Sequence, residues 1–451
     1  MNMLGLIKEL ATLRLGVVTP DMGKCADILK RELPFDTVSF PSGTQYNGWI
    51  VPDSWHVEKA TIHNVTDALI QDGEDHLIGV YMYSPSFVAG IGGAYLKQHL
   101  SYSGLNDNAR IFHCDNLYKP HKRDWGFSVT KKFYDSIGDR EAFHVELRTV
   151  TAPGEMLSHT ASSIGSDPNP ASFLMMSHNC HPSLCNDDLS GIAVGIEVMK
   201  RLPKGHRHTY RMIVMPEHYG TVFPLSDPAC SWRQASGGMF LEAFGTTGPL
   251  ALQRSFTGVA LIDRAIRNAL LGHDHYEKAF RQVAGNDETT MEAPGIEVPF
   301  ASLTRYPFAQ YHTSDDTVEL MDAGKLEEAV QVVLDAIDIV ERDCVMTRTC
   351  PDGLVCLSNP KYDLYMPYWD PSMKDRANLD QLGAAGVQWN YLMNCFPRYL
   401  DGKTTCLQIA ERFNLPFRAV RDYIQKWEDR GLLKTAPAPI DNTEQKGIPP
   451  W

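Results

Sequence analysis

Between Met175 and Gly191 the chain reads Met-Met-Ser-His-Asn-Cys-His-Pro-Ser-Leu-Cys-Asn-Asp-Asp-Leu-Ser-Gly. Imidazole, thiolate and carboxylate groups are the usual ligands of zinc. A carboxylate beside a metal can also serve as a general base. The apolar run Phe173 to Met176 reads as a buried strand leading into this stretch. Ile192, Ile196 and Met199 then recur at i, i+4 and i+7, so a helix starts near Asp188. A helix cap would account for the Asn and Asp. It would not account for His178 and His181 as well. In an α/β sheet, chemistry sits in the crevice beyond the carboxyl ends of the strands.

Four further segments put similar residues at strand ends or turns. Met212 to Met215 leads into Pro216-Glu217-His218-Tyr219-Gly220, and Met239 to Leu241 leads into Glu242. Ala284-Gly285-Asn286-Asp287-Glu288 reads as a polar turn after a helix. Tyr311-His312-Thr313-Ser314-Asp315-Asp316-Thr317 follows a strand and precedes the last long helix. Each is weak evidence alone. Their recurrence at the edges of one domain points to a shared site.

The elements that must position these residues follow from pattern. From about 140 to 345, strands alternate with helices. Strands are expected over Phe143–Val150, Phe173–Met176, Met212–Met215, Met239–Phe244, Leu250–Gln253 and Val298–Leu303, with helices over 189–202, 258–271 and 324–342. This is an α/β class with a mixed, largely parallel sheet flanked by helices. It is expected to occupy 1–45 and 137–350. Within it, 46–136 reads as a small β-rich insert with short runs such as Leu77 to Tyr83, opened by Tyr46-Asn47-Gly48-Trp49-Ile50-Val51-Pro52. Its six histidines show no ligand spacing. A connection is expected over 351–390. Over 391–436, two helices, a short turn and a Gly-Leu-Leu exit resemble a winged helix-turn-helix. That unit has eight basic residues against five acidic ones, too mild a surplus for DNA reading. A structural or dimerising role fits it better, and a homo-oligomer is expected.

The whole chain, 451 residues with a net charge of −13, argues against general nucleic-acid or membrane-surface binding. No run approaches the roughly 20 apolar residues of a membrane span. Ten scattered cysteines without a CxxC pair fit reduced thiols of a cytoplasmic protein.

The Asn-Asp-Asp-Leu-Ser-Gly turn, the Glu-His-Tyr-Gly turn, Glu242 and the His-Thr-Ser-Asp-Asp turn resemble the zinc aminopeptidase superfamily with co-catalytic metals. The Cys-His-Pro-Ser and Tyr-His-Thr-Ser motifs, the Gly-Trp-Ile-Val-Pro region and the C-terminal unit are similar to a bacterial aminopeptidase-like branch of it. The resemblance implies that Asp187 binds and could bridge the metals, that His312 is a distal ligand, that Glu242 is an acidic ligand and that Glu217 is the general base. For the first histidine, the branch motif points to His181, with His178 as the rival by strand register. Where the superfamily carries a ligating Glu after the base, this chain has His218. Histidine can still hold zinc, but the site charge changes by one unit.

A catalytic zinc needs three protein ligands and an open position for water. His181, Asp187, His218, Glu242 and His312, with Glu217 as base, could supply this for one ion or two. Tyr311 and Arg305 lie near His312 in sequence and could polarise a carbonyl or hold a substrate carboxylate. Asp287 and Glu288 could bind a free α-amino group. The leading expectation is a zinc-dependent aminopeptidase-like hydrolase acting on a small peptide or amide. The alternatives are a biosynthetic amidase or deacylase on a peptide-like or sugar amide, and a non-catalytic regulatory protein using the winged helix.

Overall fold

The structure is a computed structural model and describes residues 2–365 and 383–440. The expected connection over 351–390 therefore lies partly outside the described residues. Two compact units result: Met1–Phe256 with Tyr276–Val330, and Thr257–His275 with Gln331–Trp451. This division differs from the expected one, because the helix Leu261–Ala269 belongs to the second unit.

The first unit carries an eight-stranded sheet in the order Asp36–Pro41, Glu155–Ser163, Thr209–Met215, Ser172–His178, Gly237–Glu242, Phe300–Thr304, Leu250–Gln253 and His275–Lys278. The four central strands run parallel. Antiparallel pairs flank them. Gly237–Glu242 and Phe300–Thr304 are buried at every position, as expected for strands covered on both faces. The helix Ser190–Lys200 packs on three of the central strands. Its Gly191 faces the Leu241 carbonyl so closely that a Cβ would collide with it.

A smaller antiparallel sheet has the order Leu69–Asp72, Ser54–Asn64, Ala142–Ala152 and Phe87–Gly92. The strand expected over Phe143–Val150 in the main sheet thus belongs here. Its side chains alternate, with Phe143, Val145 and Leu147 buried and the residues between them less so, which marks a sheet covered on one face. Leu77 to Tyr83 is no strand; only Val80 makes an isolated bridge. The hairpin Gln45–Tyr46 with Trp49–Ile50 turns through Asn47 and Gly48, both at positive φ (47° and 84°), the conformation an Asn-Gly turn favours.

In the second unit, Asp401–Thr405, Cys344–Arg348 and Leu433–Pro437 form an antiparallel sheet with Cys344–Arg348 central. It accompanies helices Cys406–Arg412 and Phe417–Asp429. Val420, Tyr423, Ile424 and Trp427 form the buried face of the latter. Among the described residues, no helix is long and apolar enough to cross a membrane.

Candidate metal centre

The polar turn after Ser172–His178 is held almost entirely by its own side chains and by Asp316. The Asp316 carboxylate accepts the amides of Asn186 (2.6 Å) and Asp187 (3.0 Å). Asn186 Oδ1 accepts the Gly245 amide at 2.7 Å. Asp188 Oδ2 accepts the His178 amide at 2.9 Å. Ser190 Oγ accepts the Phe244 amide at 3.0 Å and donates to the Asn186 carbonyl at 2.7 Å. Asn186, Asp188 and Ser190 therefore tie the turn to the neighbouring strand ends. Asp187 does not. It is 1 % exposed, and neither carboxylate oxygen has a hydrogen-bond partner.

Histidines surround that carboxylate. His178 Nε2 lies 3.4 Å from Oδ1, and His312 Nε2 lies 3.1 Å from Oδ2 without the alignment of a hydrogen bond. His178 and His181 face each other through their Nδ1 atoms at 3.0 Å, so one ring donates and the other accepts. Among the described residues, three groups place ligand atoms within 4.8 Å of one another: His178, Asp187 and Glu242; His181, Asp187 and His312; and His178, Cys180 and His181. The first two share Asp187. Each offers three donors, the number a catalytic zinc takes while keeping an open position. Buried polar atoms without partners are rare in folded proteins. The two orphaned oxygens of Asp187 between these histidines fit a metal.

The electrostatics fit as well. Burial pushes the Asp187 carboxyl up, but His181, His312 and His178 outweigh it and hold it below the ordinary aspartate range. Burial holds His178 down at about 4, and His181 well below its usual value, so both rings are neutral, as ligands must be. Glu242 is pushed up by burial and then by Asp187, while Asn286 Nδ2 donates to it at 2.7 Å. Burial raises Asp316 to about 8. Such a set of crowded acids is relieved by a cation.

Glu217 follows the strand Thr209–Met215. Its amide donates to Cys180 Sγ at 3.3 Å. Its side chain keeps 16 % exposure, yet burial, then Asp287 and Asp187, push its carboxyl well up. A base raised toward neutrality suits proton transfer at neutral pH. His218 begins the helix Tyr219–Leu225 with φ +57°, and its amide donates to Asp287 Oδ1 at 3.0 Å. His312 is also left-handed (φ +54°). Its ring stacks on Tyr311 at 4.0 Å and meets the edge of Phe112 at 5.3 Å. Left-handed non-glycine residues are uncommon and cluster at functional sites.

The structure thus gathers His181, Asp187, Glu242 and His312, and adds His178 beside His181 instead of in place of it. His218 joins none of the three groups; its Nε2 lies 3.6 Å from Glu217 Oε1. Arg305 is buried, with one guanidinium nitrogen on the Gly248 carbonyl (2.5 Å) and another on Glu328 (2.6 Å). These contacts hold its guanidinium on the protein's own acceptors. Asp287 accepts the His218 amide and the Thr221 hydroxyl, and burial raises it to about 7. Glu288 accepts the Asn286 amide and the Gln253 side chain. Both brace the site's turns. The turn that bears them follows the strand His275–Lys278 and not a helix. Asp316, Asn286 and Cys180 lie within the motifs read from the sequence but were given no role there, and Phe112 was not singled out. The paired aspartates of the Ser-Asp-Asp motif were a signal for Asp316; nothing local marked Phe112.

Residues 5–343 match a family described as a domain of unknown function, DUF4910. A Clostridium acetobutylicum protein, named for polysaccharide biosynthesis and an aminopeptidase-like domain, is 26 % identical over 426 residues and 92 % of each chain. A solved structure from Clostridium acetobutylicum, described as that of a peptidase, matches with a TM-score of 0.78 over 96 % of each chain at 23 % identity. The zinc aminopeptidase BSAP from Bacillus subtilis matches at 0.56, with 12 % identity, 74 % of this chain and 93 % of its own. A peptidase M28 precursor from Shewanella amazonensis matches at 0.52, with 14 % identity, 75 % of this chain and 92 % of its own. The fold is therefore that of the zinc aminopeptidases and M28 peptidases.

Proposed function

The chain belongs to the DUF4910 family, and from that premise and the geometry around Asp187 we propose that it is a metal-dependent hydrolase of amide bonds, aminopeptidase-like in chemistry. One observation carries the reading: a buried carboxylate with both oxygens unpartnered, shared by two three-donor groups. His178, Asp187 and Glu242 would hold one zinc ion, and His181, Asp187 and His312 a second. Zinc so held supplies a Lewis acid and a water acidic enough to ionise near pH 7. Glu217, raised by burial and then by Asp287 and Asp187, takes the proton of the attacking water and passes it to the leaving amine. His178 and His181 fix each other's tautomer through their Nδ1 contact. Phe112, edge-on to both His181 and His312, braces the two rings of the second group.

The substrate reading has two branches: a peptide, or a small amide in a biosynthetic route. The name of the Clostridium acetobutylicum relative, with its polysaccharide biosynthesis, favours the second. We read the second unit's two helices and three-stranded sheet as a winged-helix module with a structural role, because the exposed part of Phe417–Asp429 mixes Arg418 and Lys426 with Asp422 and Asp429. The test is elemental analysis of protein purified without chelator, beside amide hydrolysis by wild type and Glu217→Gln. Bound zinc, with hydrolysis that falls about 10²–10⁴-fold in the variant, is the expected result. An intact fold with no metal, or hydrolysis indifferent to Glu217, would sink the reading.

A further inference from the structure

The Asn-Gly-Trp-Ile-Val-Pro stretch has no part in the centre described above. In the fold it walls a groove of about 530 Å³, whose lining includes Asn47, Trp49, Asp53, Tyr118, Arg123 and Tyr219. That volume lies within the roughly 300–1,000 Å³ of ligand clefts. The groove begins where the Glu217-His218 turn ends. Tyr219 is the next residue, the Trp49 ring lies 6.0 Å from His218 and edge-on to Tyr219 at 5.0 Å, and Tyr118 lies 6.4 Å from Tyr219. Trp49 is half-buried and Tyr118 is 40 % exposed, so both offer ring surface to a ligand.

The groove's two charged residues, Arg123 and Asp53, are exposed. Among the described residues neither has an ion pair or side-chain hydrogen bond. The Arg123 guanidinium rests over the Tyr83 ring at 5.6 Å. It ends the run Lys119-Pro120-His121-Lys122-Arg123, the reverse of a chain whose net charge is −13. Lys119 pairs with Asp115 at 2.5 Å, whereas among the described residues Lys122 and Arg123 are in no ion pair. A planar guanidinium pairs best with a carboxylate or a phosphate.

We propose that this groove is the substrate cleft of the Asp187 centre, and that Arg123 selects amides carrying a carboxylate or phosphate whose body lies against Trp49 and Tyr118. The inference rests on the hydrolase reading. It makes Arg123 a specificity residue remote from bond cleavage, with Asp53 free to accept a hydroxyl or amine of the same ligand.

The test uses zinc-loaded full-length protein and one amide scaffold in three charge states: N-acetylglucosamine, its 1-phosphate, and N-acetylmuramic acid with its carboxylate. Acetate release gives kcat/KM for each, and calorimetry gives binding. Wild type should prefer at least one anionic form, and the better of the two identifies the anion. Arg123→Ala should lose roughly ten- to hundredfold on that form, the range of a lost charge-assisted hydrogen bond, and less than threefold on the neutral amide. Arg123→Lys should recover part of the loss, while Lys122→Ala, outside the groove lining, should not reproduce it. Equal losses on all three amides, or a wild type indifferent to charge, would overturn the proposal. If none of the three is hydrolysed, acetyl sugars are not the substrate, and the hydrolase reading stands or falls on metal content and the Glu217→Gln comparison. Calorimetry still judges the groove: Arg123-dependent binding of an anionic form supports it, and binding insensitive to Arg123 overturns it.

Discussion

Both units of the chain bury carboxylates that backbone amides satisfy, and the first unit also buries one that nothing satisfies. In the second unit, Asp343 Oδ1 accepts the amides of Cys344 (3.0 Å) and Leu407 (2.9 Å), and Asp263 accepts the Ala260 amide at 3.0 Å. Asn268 similarly accepts the Phe417 amide and donates to the Leu415 carbonyl. These groups join one segment to another. In the first unit, Asp188 and Asp316 behave the same way, whereas Asp187 reaches only histidines and has no hydrogen bond on either oxygen. Burial of a charge is therefore no mark of function here. Burial without partners is.

The sharpest way to break that contrast is to remove the two kinds of carboxylate in turn. Asp187→Asn should lose zinc from both groups and hydrolysis by about 10³-fold or more, measured by elemental analysis and turnover. Asp343→Asn keeps an acceptor for both amides and should leave zinc content and turnover at wild-type levels. If both variants kept their metal, the distinction between partnered and unpartnered acids would carry no functional meaning. Next come the ligand groups. His178→Ala and His312→Ala should each lower the zinc bound per chain, while His218→Ala should not, because His218 lies outside every group. A loss of zinc in His218→Ala would restore the expectation drawn from its place after the base.

The smallest effects are on stability, and the two units should differ in sign. His159 is fully buried in the first unit and held by that burial at about 4, below its ordinary 6.5. Folding excludes its proton, so its contribution is whole above pH 6.5 and is lost as pH falls toward 4, by up to ~3 kcal/mol. Asp343 is raised by burial to about 6 from 3.8. Its contribution is whole below pH 3.8 and is lost as pH rises through 6, again by up to ~3 kcal/mol. Denaturant melts across pH 4–7 should flatten on the acid side for His159→Asn and on the neutral side for Asp343→Asn. An unchanged pH profile in either variant would show that the group does not titrate as its burial implies.

Much of this was legible in the chain. Runs such as Phe173 to Met176 and Met239 to Leu241 are apolar at every position because both faces of the central strands are covered, and that pattern needs no distant information. The Asn-Asp-Asp-Leu-Ser-Gly turn was legible because its spacing is local. The histidine assignments were harder. A turn has no period, so nothing in the sequence says that His178 and His181 meet each other beside one carboxylate. His218 stands apart from the three groups, with a left-handed backbone and an amide bonded to Asp287, and a bond to a turn 69 residues away is not legible in the sequence. Arg305 looked close to His312 only along the chain; Glu328 and the Gly248 carbonyl claim it in space. The strand at Phe143 carried its own correction, since strict alternation of buried and exposed residues belongs to a sheet with one wet face.

Gly191 bears no chemistry, yet it is where the two halves of the centre meet. The carbonyl of Leu241, the residue before Glu242, and the Asp188 carboxylate, the residue after Asp187, both crowd the one position where a Cβ would stand. A single methyl group there would collide with both at once, and the segments that carry the two ligands would have to shift for a change that touches neither ligand. The most fragile dimension of the site is thus a gap the width of a hydrogen atom. A search for vulnerable positions that ranked residues by reactivity would pass over it.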